Sequence, residues 1–286
     1  MFNRARRILE STVENYVASD SLTRGAAIAF YGVTSLIPTL VIVIAIAGLV
    51  FGEGAARGAI VRELAALIGS DSAKLIQGAI ESAYNSGSNV FAIIFGTTIL
   101  VLTASGVFGE LQSALNAIWK IEDRAFSLSR LMRGRVVSIG LVTGLGFLLL
   151  VSLVVDASVS ATSGFIDQHF RYSAGFLVTL NMAASFALTW TLFAAIFKVL
   201  PDKPLDWRDV VFGAFVTAIA FEVGKGLIGL YLGTSTVISS YGAAGALASV
   251  LLWIYYSAQI FLLGASFTKA CAVSENRRRR REARAN

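Results

Sequence analysis

The sequence places one acidic and one basic side chain three residues apart inside a long apolar run. Glu222 and Lys225 lie within residues 210–231. Residues with this spacing share one face of a helix, and a charge at membrane depth costs about 2.5–3.5 kcal/mol on insertion scales. Two interpretations follow. The pair is either a self-neutralising structural ion pair, or a polar site facing an internal cavity that binds a zwitterion or relays a proton.

Two further residues stand out at membrane depth. Glu110 has no partner on its own helix, so it is either solvated near the cytoplasmic interface or faces the same cavity as Glu222. Pro38 interrupts the first apolar run and predicts a kink, because proline lacks a backbone donor and clashes with the preceding turn. That kink is a transport hinge in one interpretation and a purely structural feature in the other.

Polar side chains at helical spacing suggest the lining of a pathway. The segment 234–242 is rich in hydroxyls yet uncharged, which predicts a loop that lines a pathway or forms a tight buried turn. Interhelical hydrogen bonding is the ordinary role of such polar groups. The candidate pathway residues besides Glu222, Lys225 and Glu110 are Tyr31, Asn181, Tyr241 and Gln259.

Catalytic and cofactor motifs are absent from the sequence. It has no Gly-rich phosphate loop ending in Lys-Ser/Thr. The only histidine, His169, falls in a predicted outer loop, without a cluster of metal ligands around it. We therefore expect neither an enzyme nor a bound metal or other cofactor.

The composition indicates that these residues are positioned by a membrane-embedded fold. Of the 286 residues, 56% are hydrophobic and only 15% charged, and the mean hydropathy is +0.71. Soluble domains carry about 25% charged residues. The sequence predicts an all-α polytopic helix bundle in a single membrane domain, 1–286.

About six transmembrane helices are expected. Each apolar run needs about 20 residues to cross the hydrocarbon core, and the run 90–104 reaches this length only if its helix continues to Trp119. The predicted spans are 26–50, 90–119, 136–155, 176–200, 210–231 and 243–268. They form the six-span bundle 26–268, preceded by the cytoplasmic segment 1–25 and followed by the basic tail 269–286.

The distribution of basic residues predicts the orientation. Nineteen of the 24 Lys and Arg residues lie in the predicted cytoplasmic segments, four lie in the outer loops, and Lys225 is intramembrane. By the positive-inside rule both termini are cytoplasmic. The tail Arg277–Arg281 is expected to meet anionic lipid headgroups rather than nucleic acid. A small-solute partner fits the bundle, and homo-oligomerisation is left open.

Amphipathic helices are expected at both membrane surfaces. In residues 1–25, Phe2, Leu9, Val13, Tyr16 and Val17 fall roughly on one face, while Arg6, Glu10 and Glu14 fall elsewhere. In the outer loop 52–89, apolar residues recur at helical spacing on both sides of Gly69-Ser70-Asp71. This pattern predicts two short outer helices.

Several segments resemble the YihY/BrkB family of bacterial inner-membrane proteins over roughly residues 15–270. The matching segments are AAIAFY at 26–31, SLIP at 35–38, LNAIW at 115–119, LP at 200–201, WRD at 207–209, YGAAG at 241–245, LWIYYSAQI at 252–260 and LGA at 263–265. After that last motif many members have an acidic residue where this chain has Ser266, so a role for that carboxylate does not transfer.

The resemblance implies a six-span protein of the bacterial inner membrane. Members have been called ribonuclease BN, a label that one histidine on the outer side does not support. Our leading hypothesis is a passive or ion-coupled exporter of a small polar or zwitterionic solute. The alternative is a non-transporting envelope-assembly or lipid-handling protein.

Overall fold

The computed structural model describes residues 2–85, 106–121, 173–203, 205–234 and 242–285. These residues form eight helices, and none of them is in a strand. The helices are α1 Phe2–Ala18, α2 Ser21–Phe51, α3 Glu53–Ile68, α4 Ser70–Asn85, α5 106–119, α6 Ser173–Val199, α7 Trp207–Thr234 and α8 Ala243–Ala285.

Four of the described helices are long and apolar enough to cross a membrane. The candidate spans are Ser21–Val41 in α2, Met182–Val199 in α6, Trp207–Leu232 in α7 and Ala244–Glu275 in α8. This confirms a helical membrane protein. The predicted run 136–155 and the first part of the predicted span 90–119 lie outside the described residues, so the count of six remains a prediction.

The long helix α8 is the centre of the described bundle. It packs against α1, α2, α3, α4 and α7, while α6 packs against α7. One apolar cluster joins α5, α6, α7 and α8 around Leu115, Phe197, Val210 and Leu262. A second joins α2, α3, α4, α7 and α8 through Ile44, Ile68, Ile80, Ile228 and Val250. The two clusters lie at different levels along α8.

Glycines allow α7 and α8 to approach closely. A Cβ at Gly213 of α7 would overlap the Thr268 side chain of α8, and a Cβ at Gly264 of α8 would overlap the Thr217 side chain of α7. Each threonine donates its hydroxyl over 2.7 Å to the carbonyl of the glycine four residues earlier in its own helix. The contact is therefore reciprocal and leaves neither hydroxyl unpaired.

The two short helices predicted within residues 52–89 form where they were expected. Gly52 and Gly69, with φ of 83° and 86°, separate α2 from α3 and α3 from α4. These positive φ angles favour glycine. The Gly69-Ser70-Asp71 break in the sequence therefore marks the boundary between the two helices.

Two helix boundaries differ from the sequence prediction. The first span begins at Ser21, five residues before the expected start at Ala26, because the turn at Ser19 and Asp20 leads directly into the helix. The last helix also continues beyond residue 268, the expected end of its span, and through the predicted tail. Helix α8 runs on to Ala285 and includes Arg277–Arg281, as its run of helix-forming Glu, Ala and Arg residues permits.

Candidate functional site

Glu222 and Lys225 form an ion pair on α7. Nζ of Lys225 lies 2.8 Å from Oε2 of Glu222, as the spacing of three residues predicted. The other carboxylate oxygen, Oε1, is buried and has no hydrogen-bond partner among the described residues. The side chains are 31% and 37% exposed. Within the described part of the chain, Oε1 of Glu222 therefore remains an unused acceptor, in an ion pair whose side chains are only partly buried.

The residues around this pair come from α7 and α8. A Cβ at Gly224 would overlap the end of Ile260 and lie 3.3 Å from the Tyr256 hydroxyl, so α8 passes directly beside one of the two residues between Glu222 and Lys225. On the other side of α7, Ile219 and Val223 are 44% and 59% exposed. The pair lies between a tight helix contact and an exposed apolar surface.

Glu110 has a charged partner on another helix. Oε1 of Glu110 on α5 lies 3.0 Å from Nη1 of Arg24 on α2. The same guanidinium nitrogen donates to Oγ of Ser113 over 2.8 Å, and Nε of Arg24 donates to the carbonyl of Ser19 over 3.0 Å. Glu110 is thus tied to the beginning of α2.

The side-chain amide of Gln259 makes hydrogen bonds to α1 and to the beginning of α2. Its Oε1 accepts from the hydroxyl of Tyr16 on α1, and its Nε2 donates to the carbonyl of Leu22 over 3.4 Å. A Cβ at Gly25 would overlap the Gln259 amide, so only glycine leaves room for it. Arg24 and Gly25 are adjacent, which places Gln259 and Glu110 at the same end of the bundle.

The other predicted residues do not converge on the pair in the described part of the chain. The Tyr31 ring lies against Gly106 at the start of α5, and a Cβ there would lie 2.6 Å from it. Pro38 lies within α2, which continues through it; its role as a hinge remains a prediction. Asn181 belongs to α6, but its side chain is outside the description, and Tyr241 lies outside the described residues.

A polar cluster not predicted from the sequence joins the predicted cytoplasmic segments. Nζ of Lys269, on a residue only 8% exposed, donates to Oδ1 of Asn15 over 2.8 Å and to the carbonyl of Ile118 over 2.5 Å. Nearby in the sequence, Nδ2 of Asn116 donates to Asp202 over 2.7 Å, and Oδ1 of Asn116 accepts from the Asp202 amide over 3.0 Å. These bonds bring α1, α5, α8 and the loop after α6 to one end.

Some of these partners have little signal in the sequence. The Gly-x-x-x-Thr spacing at Gly213/Thr217 and at Gly264/Thr268 was visible, but the sequence does not say which two helices meet. Arg24 and Tyr16 are separated from their partners by 86 and 243 residues. In the described ranges no group of three or more His, Cys, Asp or Glu residues lies close enough to hold a metal.

Comparison with known proteins gives consistent matches. The model of the family described as Virulence factor BrkB matches residues 12–286. A UPF0761 membrane protein of Psychrobacter sp. (strain PRwf-1) is 27% identical over 265 residues, which is 90% of this chain and 46% of that protein. One of Klebsiella pneumoniae (strain MGH 78578) is 29% identical over 196 residues, 68% of this chain and 64% of that protein.

The match to a third relative covers a smaller share of both chains. The UPF0761 membrane protein of Bordetella petrii is 33% identical over 178 residues, 60% of this chain and 36% of that protein. This chain therefore covers less than two thirds of the length of these curated relatives. No solved structure matches.

Proposed function

This chain belongs to the Virulence factor BrkB family of membrane proteins, and from that premise we propose that it is a passive or ion-coupled exporter of a small polar or zwitterionic solute in the bacterial inner membrane. In this proposal the protein moves a solute and carries out no enzymatic reaction. Glu222 and Lys225 on α7 are the proposed solute site.

The buried Oε1 of Glu222, which has no hydrogen-bond partner in the part of the chain that the structure describes, is the observation that supports the proposal. A purely structural ion pair at membrane depth is most stable when every oxygen is satisfied, because an unpaired buried acceptor costs about 1–3 kcal/mol. Here only Oε2 is used, by Lys225. The free oxygen suits a hydrogen-bond donor on a visiting solute.

The charges of the pair match the two ends of a zwitterion. The carboxylate of Glu222 suits an ammonium group, and Lys225 suits a carboxylate or sulfonate. Because both side chains are about one third exposed, a solute can reach the pair without unpacking the core, and only the local cover over Oε1 must move for the solute to bond to that oxygen. A pair already held at 2.8 Å also limits the cost of keeping charge at this depth.

Flux from proteoliposomes tests the proposal. Vesicles loaded with labelled proline or taurine, two zwitterions whose ammonium groups carry N–H donors, are given an osmotic downshift, and efflux is compared for the unaltered protein, Glu222→Gln and Glu63→Gln. Glu63 is an exposed carboxylate on α3 and serves as the matched control. We expect protein-dependent efflux that falls about tenfold or more in Glu222→Gln, the loss expected for one charged hydrogen bond, and is unchanged in Glu63→Gln.

A lipid-handling role is the alternative, supported by the exposed apolar surface next to the pair. Ile219 and Val223 are 44% and 59% exposed on the same helix, so a zwitterionic lipid headgroup has access similar to that of a free solute. No efflux of either osmolyte from folded protein would contradict the exporter proposal. Copurification of phosphatidylethanolamine, detected by native mass spectrometry and lost in Glu222→Gln, would then favour the alternative.

A further inference from the structure

The first helix, α1, presents an exposed apolar stripe beside a charged one. Leu9, Val13 and Val17 are 61%, 57% and 67% exposed. At about 100° per residue these side chains share one side of the helix, and Glu14 and Arg7 lie roughly 100° around from them. Both charged residues are exposed. A water-exposed helix would not gain from such an apolar stripe, whereas a helix in the membrane interface would.

The third side of α1 packs on the bundle through polar contacts. Thr12 is buried at 4% exposure, Asn15 accepts from Lys269, and Tyr16 donates to Gln259. Burial raises the pKa of the Tyr16 hydroxyl above its ordinary value, and the neighbouring Tyr255 raises it further. The hydroxyl therefore keeps its proton and its role as donor across the physiological pH range.

The position of α1 along the bundle fixes its level in the membrane. Its end is joined by the two-residue turn Ser19-Asp20 to α2, where the first candidate span begins at Ser21. Its partner Lys269 lies close to the last residue, Glu275, of the candidate span in α8. A helix held at the ends of two spans lies at the headgroup level, where an apolar stripe contacts acyl chains and a charged stripe contacts water.

We propose that α1 is an in-plane membrane-surface helix that latches one end of the bundle through Tyr16–Gln259 and Asn15–Lys269. Its partner is the interface of the bilayer, where the stripe Leu9, Val13 and Val17 contacts acyl chains just below the headgroups. The regulatory part of the proposal rests on the exporter proposal above, because Gln259 is a candidate pathway residue. While Tyr16 donates to Oε1 of Gln259, one of the two lone pairs of that oxygen is occupied and the amide is held in place, away from a solute.

This arrangement links the bilayer to the candidate pathway by one rigid element. Stretching or thinning the membrane changes how well the apolar stripe is accommodated in the interface. Because α1 is a single helix, a force that the bilayer exerts on Val13 or Val17 also moves Tyr16, which lies between them in the sequence. Loss of the Tyr16 contact frees Gln259 and opens the end of the bundle.

Spin labelling tests the membrane contact independently of transport. Cysteines are introduced singly at Val13 and at the adjacent Glu14 in a Cys271→Ser background, labelled with a nitroxide, and the proteins are placed in vesicles of phosphatidylethanolamine and phosphatidylglycerol. We expect the label at 13 to be accessible to oxygen and protected from a water-soluble nickel complex, and the label at 14 to show the reverse. Equal exposure of both labels to nickel would overturn the interfacial position.

Hydrogen exchange and flux together test the latch. In Tyr16→Phe we expect the amides of α1 to exchange about fivefold faster, because one hydrogen bond is lost. We also expect solute to leak from the vesicles without an osmotic downshift. The control variant Glu14→Gln should match the unaltered protein in both measurements. Unchanged exchange in α1 would overturn the latch. Faster exchange with unchanged efflux, in vesicles where the unaltered protein transports, would overturn its regulatory role. If the unaltered protein does not transport, the exporter proposal fails, while exchange and spin labelling still decide whether α1 is latched at the surface.

Discussion

The guanidinium of Arg24 on α2 lies 3.0 Å from the carboxylate of Glu110 on α5 and 2.8 Å from the hydroxyl of Ser113, one turn further along α5. The two ion-paired side chains are only 27% and 23% exposed. Solvent therefore screens this pair less than an ordinary surface pair. The contact joins two helices through residues 86 positions apart in the chain.

We expect the Arg24–Glu110 pair to stabilise the bundle measurably. Glu110→Gln and Arg24→Met should each lower the free energy of unfolding by about 1–3 kcal/mol, because each leaves one partly buried charge without its partner. A double-mutant cycle measured by thermal unfolding in detergent gives the coupling energy. Arg6→Ala, which breaks an exposed pair with Glu10 at side-chain exposures of 75% and 53%, should cost less than about 0.5 kcal/mol. Equal losses at the two sites would contradict the prediction.

Removing both charges of the Glu222–Lys225 pair should restore the stability of the protein without restoring transport. Lys225→Met alone should destabilise the protein by about 1–3 kcal/mol, less than for a fully buried pair because both side chains are partly exposed. The double variant Glu222→Gln/Lys225→Met should recover most of that stability while its osmolyte efflux stays low. Thermal unfolding and proteoliposome flux on the same preparations measure both. Recovery of efflux together with stability would assign the pair a structural role only.

Local rules predicted the helices well, whereas the partners between helices needed the fold. Length and apolarity located α2, α6, α7 and α8, and the helical spacing of three residues predicted the Glu222–Lys225 ion pair. Nothing in the sequence near Glu110 indicates Arg24, because the contact depends on how α2 and α5 pack. Gln259 appeared as a pathway residue for its polarity alone, and its actual partners, Tyr16 and the carbonyl of Leu22, come from the chain's other end.

The reciprocal Gly–Thr contact should make α7 and α8 intolerant of larger side chains. Gly213→Val and Gly264→Val should each destabilise the protein by about 1–3 kcal/mol or more, because the added atoms would overlap Thr268 or Thr217. Gly226→Ala is the matched control on α7, since a Cβ there has no described neighbour within 4 Å. It should be neutral or slightly stabilising, by up to about 1 kcal/mol, as expected for Gly→Ala in a helix.

Thermal unfolding of the three glycine variants in one detergent measures these differences. If Gly226→Ala were as destabilising as Gly213→Val, the loss would come from the changed helix in general and not from the contact with Thr268. A cost confined to Gly213 and Gly264 would confirm that α7 and α8 pack at these two points.

Asn116 should control the order of the loop after α6. It donates to the carboxylate of Asp202 and accepts from the Asp202 amide, over 2.7 and 3.0 Å. In Asn116→Ala the Asp202 amide loses its acceptor, so we expect faster deuterium uptake in a peptide covering residues 200–206, by about fivefold. Lys203→Ala, at an exposed position in the same loop, should leave the uptake unchanged. Equal acceleration in both variants would show that the loop is not held by Asn116.

Cysteines introduced at the two ends of the bundle should react with a maleimide reagent from opposite sides of the membrane. The buried residue Lys269 and the loop residue Asp202 both contact α1 or α5 at one end, whereas Ile68 and Ile80 of the α3–α4 pair pack with Ile228 and Val250 in the other apolar cluster. The excess of basic residues in the segments at the first end predicts that this end is cytoplasmic.

Cysteines at Ser70 and Lys203, both exposed, are introduced singly in a Cys271→Ser background. A membrane-impermeant maleimide added to intact spheroplasts should label position 70 at once and position 203 only after lysis. The reverse pattern would invert the topology and with it the direction of the proposed export, because the α1 latch would then face outward.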